Sequence, residues 1–114
     1  MTQNQPTDLL QIVARRIELQ NRITAIDARL AACETYGKFG KKRLNEIDPQ
    51  IAINTFDKMI KQWLFTGGQP ADEWYLILFA LKAKQGLIAK CARIDEFLYF
   101  ANLAKKLGGL QNER

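Results

Sequence analysis

The pattern of apolar positions along the chain predicts an all-α protein. Apolar residues recur every three or four positions over long stretches, and no alternating apolar–polar run is long enough to predict a strand. We therefore expect a single helical domain over residues 1–114, built as a bundle. Its predicted parts are a flexible N-terminus (1–7), a long N-terminal helix (8–35), a connector (36–48), a shorter middle helix (49–66), a long C-terminal helix (70–107) and a tail (108–114).

The predicted N-terminal helix carries a heptad pattern, and Asp8 with Gln11 is typical of a capping box at its first residue. The stripe is apolar except for Arg16 and indicates a helix that pairs with another helix. Two arrangements fit it: a coiled coil between two copies of the chain, or packing against the C-terminal helix of the same chain. In the first arrangement the dimer interface consists of Leu9, Ile12, Arg16, Leu19, Ile23, Ile26 and Leu30.

The middle helix has clear signals at both ends. Asp48 is a favourable N-cap, and Pro49 follows at the first helical position, where its missing N–H costs nothing. Gly67 and Gly68 predict its end, because glycine accepts the left-handed conformation that commonly closes a helix.

The predicted C-terminal helix ends at Gly108 and Gly109 and contains Gly86, where a bend would fall. A helix passes through one glycine at a cost of about 1 kcal/mol, so one long helix is expected. Its second half is apolar on nearly every side, which requires neighbours on several sides.

The lengths of the predicted helices do not match the size of the chain. The first and third helices would be roughly 42 and 55 Å long, whereas a compact domain of this size has a radius of gyration near 13 Å. One short middle helix can cover only part of the apolar surface of the two long helices. We therefore expect a second chain, which is either another copy or a different protein.

The composition favours a folded protein and argues against an enzyme. Hydrophobic residues make up 47% and charged residues 25% of the chain, which contains no histidine. Triads, dyads and zinc sites that need histidine are therefore excluded within it. Cys33 and Cys91 are far apart in sequence, and no nucleophile, base and orienting group stand together. We expect no catalysis, no cofactor, no metal and no small-molecule substrate.

The net charge of +5 favours anionic partners. Aromatic and cationic residues alternate in the connector, as in surfaces that stack bases and neutralise phosphates, and a second basic row shares a helical face with Gly86. A solvated interhelical loop and the solvent-facing side of a helix are the more common explanations of the two features. The candidate contacts to nucleic acid or another polyanion are Tyr36, Lys38, Phe39, Lys41, Lys42, Arg43, Lys82, Lys90 and Arg93.

These features together predict a non-enzymatic interaction protein, an adaptor or regulator that is homodimeric and binds a protein partner. The alternative is a small nucleic-acid-binding regulator that uses the connector. No apolar run reaches the roughly 20 residues of a membrane-spanning helix, and the N-terminus resembles neither a signal nor a transit peptide. We therefore expect a cytoplasmic protein without a membrane span.

Overall fold

The chain folds into helices in a long, short, long order, which confirms the all-α prediction. The computed structural model describes residues 5–33 and 42–112, and side chains within them at 8–33 and 42–108. No strand occurs in these ranges. The elements are α1 (Gln5–Ala31), a short 3-10 turn (Leu44–Glu46), α2 (Pro49–Phe65) and α3 (Asp72–Asn112).

Both long helices depart from their predicted ends. Helix α1 begins at Gln5, so the capping box predicted at Asp8 is wrong, and Asp8 instead lies in the first turn. There its carboxylate complements the helix dipole. The predicted end of the third helix at Gly108 is also wrong, because α3 continues to Asn112. A glycine inside a helix costs only about 1 kcal/mol, so it ends a helix only where another conformation is favoured.

The ends of α2 follow the sequence signals. The Asp48 side chain accepts hydrogen bonds from the backbone N–H groups of Gln50 at 2.8 Å and Ile51 at 3.3 Å. At the other end Gly67 adopts a positive φ of 79°, and the Gly68 N–H donates to the carbonyl of Trp63 at 2.8 Å. The N-cap and the glycine end are therefore both confirmed.

Helices α1 and α3 run antiparallel along most of α1. Asp27 forms an ion pair with Lys84, and Arg16, earlier in α1, forms one with Asp95, later in α3. Residues later in α1 therefore lie opposite residues earlier in α3. The α1–α3 pair is therefore a helical hairpin, joined through the connector and α2.

Helix α2 packs against only the first part of α3. Gln85 donates a side-chain hydrogen bond to Gln50 at 2.6 Å, and the rings of Trp63 and Trp74 meet edge to face at 6.0 Å between centroids. The molecule thus has a three-helix half, where α2 is present, and a two-helix half, formed by residues 5–20 of α1 and 88–112 of α3.

The buried core lies in and next to the three-helix half. One cluster joins all three helices, and a smaller one joins Leu19 and Ile23 of α1 to Leu87 and Cys91 of α3. No side chain described between residues 8 and 18 or between 92 and 108 is buried. The larger cluster contains Leu30, Leu44, Ile47, Ala52, Ile53, Phe56, Ile60, Leu78 and Leu81.

The molecule is elongated as a result. It measures 71 × 31 × 24 Å, and its radius of gyration is 20.5 Å, against about 13 Å for a compact domain of this length. The folded chain is therefore longer and thinner than a compact domain, as the predicted helix lengths indicated.

Candidate functional site

The heptad stripe of α1 packs mainly within its own chain. Leu19 and Ile23 are buried against α3, Leu30 is buried in the larger cluster that α2 and α3 share, and Ile26 packs against both core clusters. This is the second of the two arrangements that the sequence allowed. These side chains are already covered, so they are not free to form the predicted interface between copies. Toward the N-terminus Ile12 is half-buried and Leu9 is 37% exposed.

Arg16 occupies its heptad position because α3 supplies a carboxylate opposite it. Its Nε and Nη2 donate to the two carboxylate oxygens of Asp95 at 2.8 and 3.2 Å, and Nη1 donates to Gln20 at 3.1 Å. The hydrogen bond from Arg16 lowers the pKa of Asp95, and the same bond raises the pKa of Arg16. The pair therefore fits the antiparallel register of the hairpin, and the charge of Arg16 is neutralised within the chain.

One heptad stripe of α3 is covered by α2 at its start and uncovered further on. Leu78 and Leu81 are buried in the core that α2 shares, and Gln85 bonds to Gln50 at the first turn of α2. The stripe continues through Ile88, Ala92, Asp95 and Tyr99. Ile88 and Tyr99 are exposed apolar side chains, and Asp95 bonds to Arg16 of α1. Past Gln85 the stripe thus has α1 on one side and, among the described residues, no helix in the place that α2 takes earlier.

Helix α1 supplies the other side of this uncovered surface. A shallow cleft between the helices is lined by Gln20 from α1 and by Ile88 and Asp95 from α3. Ile17 and Val13 lie three and seven residues before Gln20, so they share its side of α1. Both are exposed.

We call this surface the open face. It belongs to the two-helix half and lies on the side of the hairpin that α2 covers in the three-helix half. Its apolar side chains are each between 37% and 70% exposed: Leu10, Val13, Ile17, Ile88, Tyr99, Phe100, Leu103 and Leu107. The exposed Glu96 stands among them, three, four and seven residues before Tyr99, Phe100 and Leu103. Isolated exposed apolar residues are ordinary, whereas a group of them on one face is typical of an interaction site.

A basic cleft lies on the opposite side of the α1–α3 seam. It has a volume of about 620 Å³, and its charged lining consists of Arg22, Arg29 and Lys90. No carboxylate lines it, and among the described residues none of these three cations forms an ion pair. The small residues Ala25, Ala83 and Gly86 form part of the wall, so a ligand backbone can approach closely.

The basic cleft matches the predicted basic row only in part. Lys90 and Gly86 lie together as expected, whereas Lys82 and Arg93 are exposed and do not line the cleft. Sequence reasoning missed Arg22 and Arg29. Their seven-residue spacing places them on one side of α1, but only the packing of α1 on α3 shows that this side faces Lys90.

Most of the predicted aromatic and basic connector, namely Tyr36, Lys38, Phe39 and Lys41, lies outside the described residues. Lys42 and Arg43 are described, and both are exposed. Arg43 is engaged locally: its Nη1 donates to the carbonyl of Ala31 at 3.0 Å, and its backbone N–H donates to Glu46 at 3.1 Å. In the structure Arg43 therefore ties the end of the connector to the last turn of α1.

The described residues offer neither a metal site nor a membrane span. They contain no group of three acidic or cysteine side chains placed to hold a metal ion. None of their helices combines the length and apolarity needed to cross a bilayer. Cys33 and Cys91 are both free thiols.

Comparison with known proteins assigns no family. No family model matches the chain, and neither a curated protein nor a solved structure shows significant similarity to it. A function for this protein is therefore inferred from its fold, its open face and its basic cleft.

Proposed function

We propose that this protein is a non-enzymatic interaction protein, an adaptor or regulator, that works as a homodimer and presents helix faces to a macromolecular partner. The observation that carries the proposal is the open face. Eight exposed apolar side chains lie in the two-helix half, where the only buried side chains described are Leu19 and Cys91, at the end next to the three-helix half. This arrangement is typical of a surface that another chain covers.

The energetics favour covering this face. Removing apolar surface from water contributes roughly 25 cal/mol per Å². The hairpin already orders the backbone that presents these side chains, so association requires less new ordering than a disordered segment would. The three-helix half supplies the stability that holds the hairpin in place.

The remaining features fit the same role. The basic cleft leaves one side of the hairpin cationic, which steers an acidic partner toward it and raises the association rate. Two free thiols fit a reducing compartment, and we include a cytoplasmic location in the proposal.

The self-association part is tested by measuring the molar mass of the purified protein in solution. We expect light scattering coupled to size exclusion at micromolar concentration to give twice the chain mass of 13.1 kDa. A stable, monodisperse monomer across that range would remove the main support for the proposal.

A second candidate function, binding of nucleic acid, is favoured by one observation: three cations converge on the basic cleft with no carboxylate in its lining. Under this alternative the phosphate backbone displaces counterions from Arg22, Arg29 and Lys90.

Fluorescence anisotropy with labelled single- and double-stranded DNA and RNA at low salt tests this alternative. The triple variant Arg22→Gln, Arg29→Gln, Lys90→Gln should weaken binding and reduce its salt dependence. A control with three exposed cations away from the cleft, Lys58→Gln, Lys61→Gln and Lys105→Gln, has the same net charge. Equal losses in both variants, or no binding at low salt, would reject the cleft as a nucleic-acid site.

A further inference from the structure

In the two-helix half, no helix among the described residues covers the side of the hairpin that α2 covers in the three-helix half. In the three-helix half α2 packs on the stripe that contains Leu78 and Leu81, and it begins at Pro49, beside Gln85. Beyond Gln85 the same side of the hairpin is the open face, and α3 continues along it to Asn112. The apolar surface therefore continues from the established core into a region with no covering helix among the described residues.

We propose that the open face of a second copy fills this position, so that the two-helix halves of two chains form one antiparallel four-helix bundle. The inference rests on the proposed self-association and specifies its geometry. In it α3 packs against α3 of the second copy, and α1 against its α1.

The width of the open face favours an occupant made of two helices. The face extends across the seam, from Leu10 on the outer side of α1 to Phe100 on the outer side of α3. Both side chains are more than half exposed. A single added helix is only about 10 Å wide, so it would cover the seam and leave these outer side chains in water. A second hairpin of the same width covers both, and another copy supplies one with matching apolar positions.

The extent of the open face favours a dimer contact. It carries eight exposed apolar side chains, two of them aromatic, and aromatic side chains contribute most to the area that an interface buries, about 800 Å² on each partner in a standard interface. The same face on both subunits gives an isologous contact, which is the geometry of a closed twofold dimer.

Helix α2 fixes the relative direction of the two chains. In a parallel arrangement the α2 helices of both copies would occupy the same side of the same half, and they would collide. In the antiparallel arrangement the hairpin of the second copy occupies the stretch between Gln85 and Asn112, roughly 40 Å at 1.5 Å per residue. The midpoint of that stretch places the twofold axis near Tyr99.

The geometry is tested by photo-crosslinking from Tyr99. Tyr99→benzoylphenylalanine keeps an aromatic side chain at a position that is 62% exposed. The matched control is Phe79→benzoylphenylalanine, 63% exposed but in the three-helix half, outside the open face. Mixing nitrogen-15-labelled and unlabelled chains identifies crosslinks between copies by mass spectrometry. We expect crosslinks from position 99 to the middle of α3 in the other copy, and none between copies from position 79.

A pair of charge substitutions tests the same face independently. Ile17→Asp with Phe100→Asp changes two side chains that are already more than half exposed, so the helical content should be retained. We expect a monomer at concentrations where the wild type is a dimer. The control, Leu76→Asp with Phe79→Asp, changes one aliphatic and one aromatic residue that are even more exposed but lie outside the open face. It should remain dimeric.

The outcomes separate the geometry from the self-association itself. A monomeric wild type overturns both. A dimer that is crosslinked from position 79, or that persists in the Ile17→Asp, Phe100→Asp variant, overturns only the four-helix arrangement. A monomer whose open face is instead bound by a different protein overturns the second copy as the occupant.

Discussion

Lys84 is the one charged side chain that is buried among the residues whose burial is described. Its Nζ lies 2.6 Å from Oδ1 of Asp27, which accepts no hydrogen bond of good geometry, so the contact acts as an ion pair. A buried charge is tolerated only when it is paired, because desolvating an isolated ion is costly. The pair therefore specifies how α1 and α3 align.

This pair predicts an asymmetry between two substitutions. Asp27→Ala leaves the buried Lys84 ammonium without its partner and should lower the free energy of unfolding by up to about 3 kcal/mol, less than for a fully enclosed pair because Asp27 is partly exposed. Lys84→Met keeps most of the volume and leaves only the partly exposed Asp27 carboxylate without its partner, so it should lower the free energy of unfolding by less than Asp27→Ala does. Urea denaturation followed by circular dichroism measures both. Equal losses in the free energy of unfolding would show that Lys84 is not buried because of its pairing with Asp27.

The Arg16–Asp95 pair predicts a pH dependence of stability. The hydrogen bond from Arg16 lowers the pKa of Asp95 in the folded state. A carboxylate with a depressed folded pKa contributes stability above its unfolded pKa, near 3.9, and this contribution is lost as pH falls through the folded value. The urea midpoint of the wild type should therefore exceed that of Asp95→Asn at neutral pH, and the gap should close below about pH 4.

Arg16→Gln serves as the matched control for this pH series, because it removes the hydrogen-bond donor and leaves the carboxylate. Its profile should resemble that of Asp95→Asn. If the wild type and both variants give parallel curves down to low pH, the pair contributes no linked stability.

At the scale of the element, the two long helices are continuous where the sequence contains helix-weakening residues. Gly86 lies inside α3, and a methyl group built at its Cα would meet nothing within 4 Å. Gly67 differs because it closes α2 with a φ of 79°, a conformation that side chains with a Cβ rarely adopt.

These two glycines predict changes of opposite sign. Gly86→Ala should raise the free energy of unfolding by about 0.5 to 1 kcal/mol, because alanine restricts the unfolded chain and has higher helix propensity. Gly67→Ala should lower it by about 1 kcal/mol, since its backbone is left-handed. Thermal unfolding of the two variants beside the wild type measures both. A destabilised Gly86→Ala variant would indicate that α3 needs the glycine for contact with another chain.

Signals in the sequence located the elements well where local chemistry decides them. Asp48 with Pro49 and the Gly67–Gly68 pair fix the ends of α2 through backbone groups only a few residues away. Local signals failed at Asp8 and at Gly108, where the helix continues in both cases. Favourable capping residues permit a helix end without requiring one, so neighbouring residues can extend the helix past them.

At the scale of the whole molecule, stability and association should be linked. A dimer that covers the open face in the native state, but not in the unfolded state, raises the unfolding midpoint by mass action. The thermal midpoint of the wild type should therefore rise as protein concentration increases. In the Ile17→Asp, Phe100→Asp variant the midpoint should not depend on concentration. A concentration-independent wild type would contradict a native-state dimer.

The predicted dimer stripe shows why a surface is harder to assign than a helix. Leu9 and Leu30 occupy equivalent heptad positions, yet Leu30 is buried in the core and Leu9 is partly exposed. The difference arises because α2 begins beside Gln85 and runs away from the two-helix half, so the core that it shares covers only one half of the hairpin. Heptad periodicity indicates that a stripe is apolar, but it does not predict which part of the stripe another helix covers.

The basic cleft depended on the tertiary structure in the same way. Arg22 and Arg29 belong to α1 and Lys90 belongs to α3, and the antiparallel register fixed by Asp27 and Lys84 brings them together. No spacing within either helix indicates that proximity.

The helical class, the order of long, short and long helices, the caps of α2 and the presence of more apolar helix surface than the chain can bury could all be predicted from the amino-acid sequence. These are consequences of periodicity, local hydrogen bonding and length. The packing of the helices was needed to see which apolar stripes are covered, which cations converge and where the hairpin is left with two helices. Burial depends on contacts between residues far apart in the chain, and those contacts depend on how the three helices pack against one another.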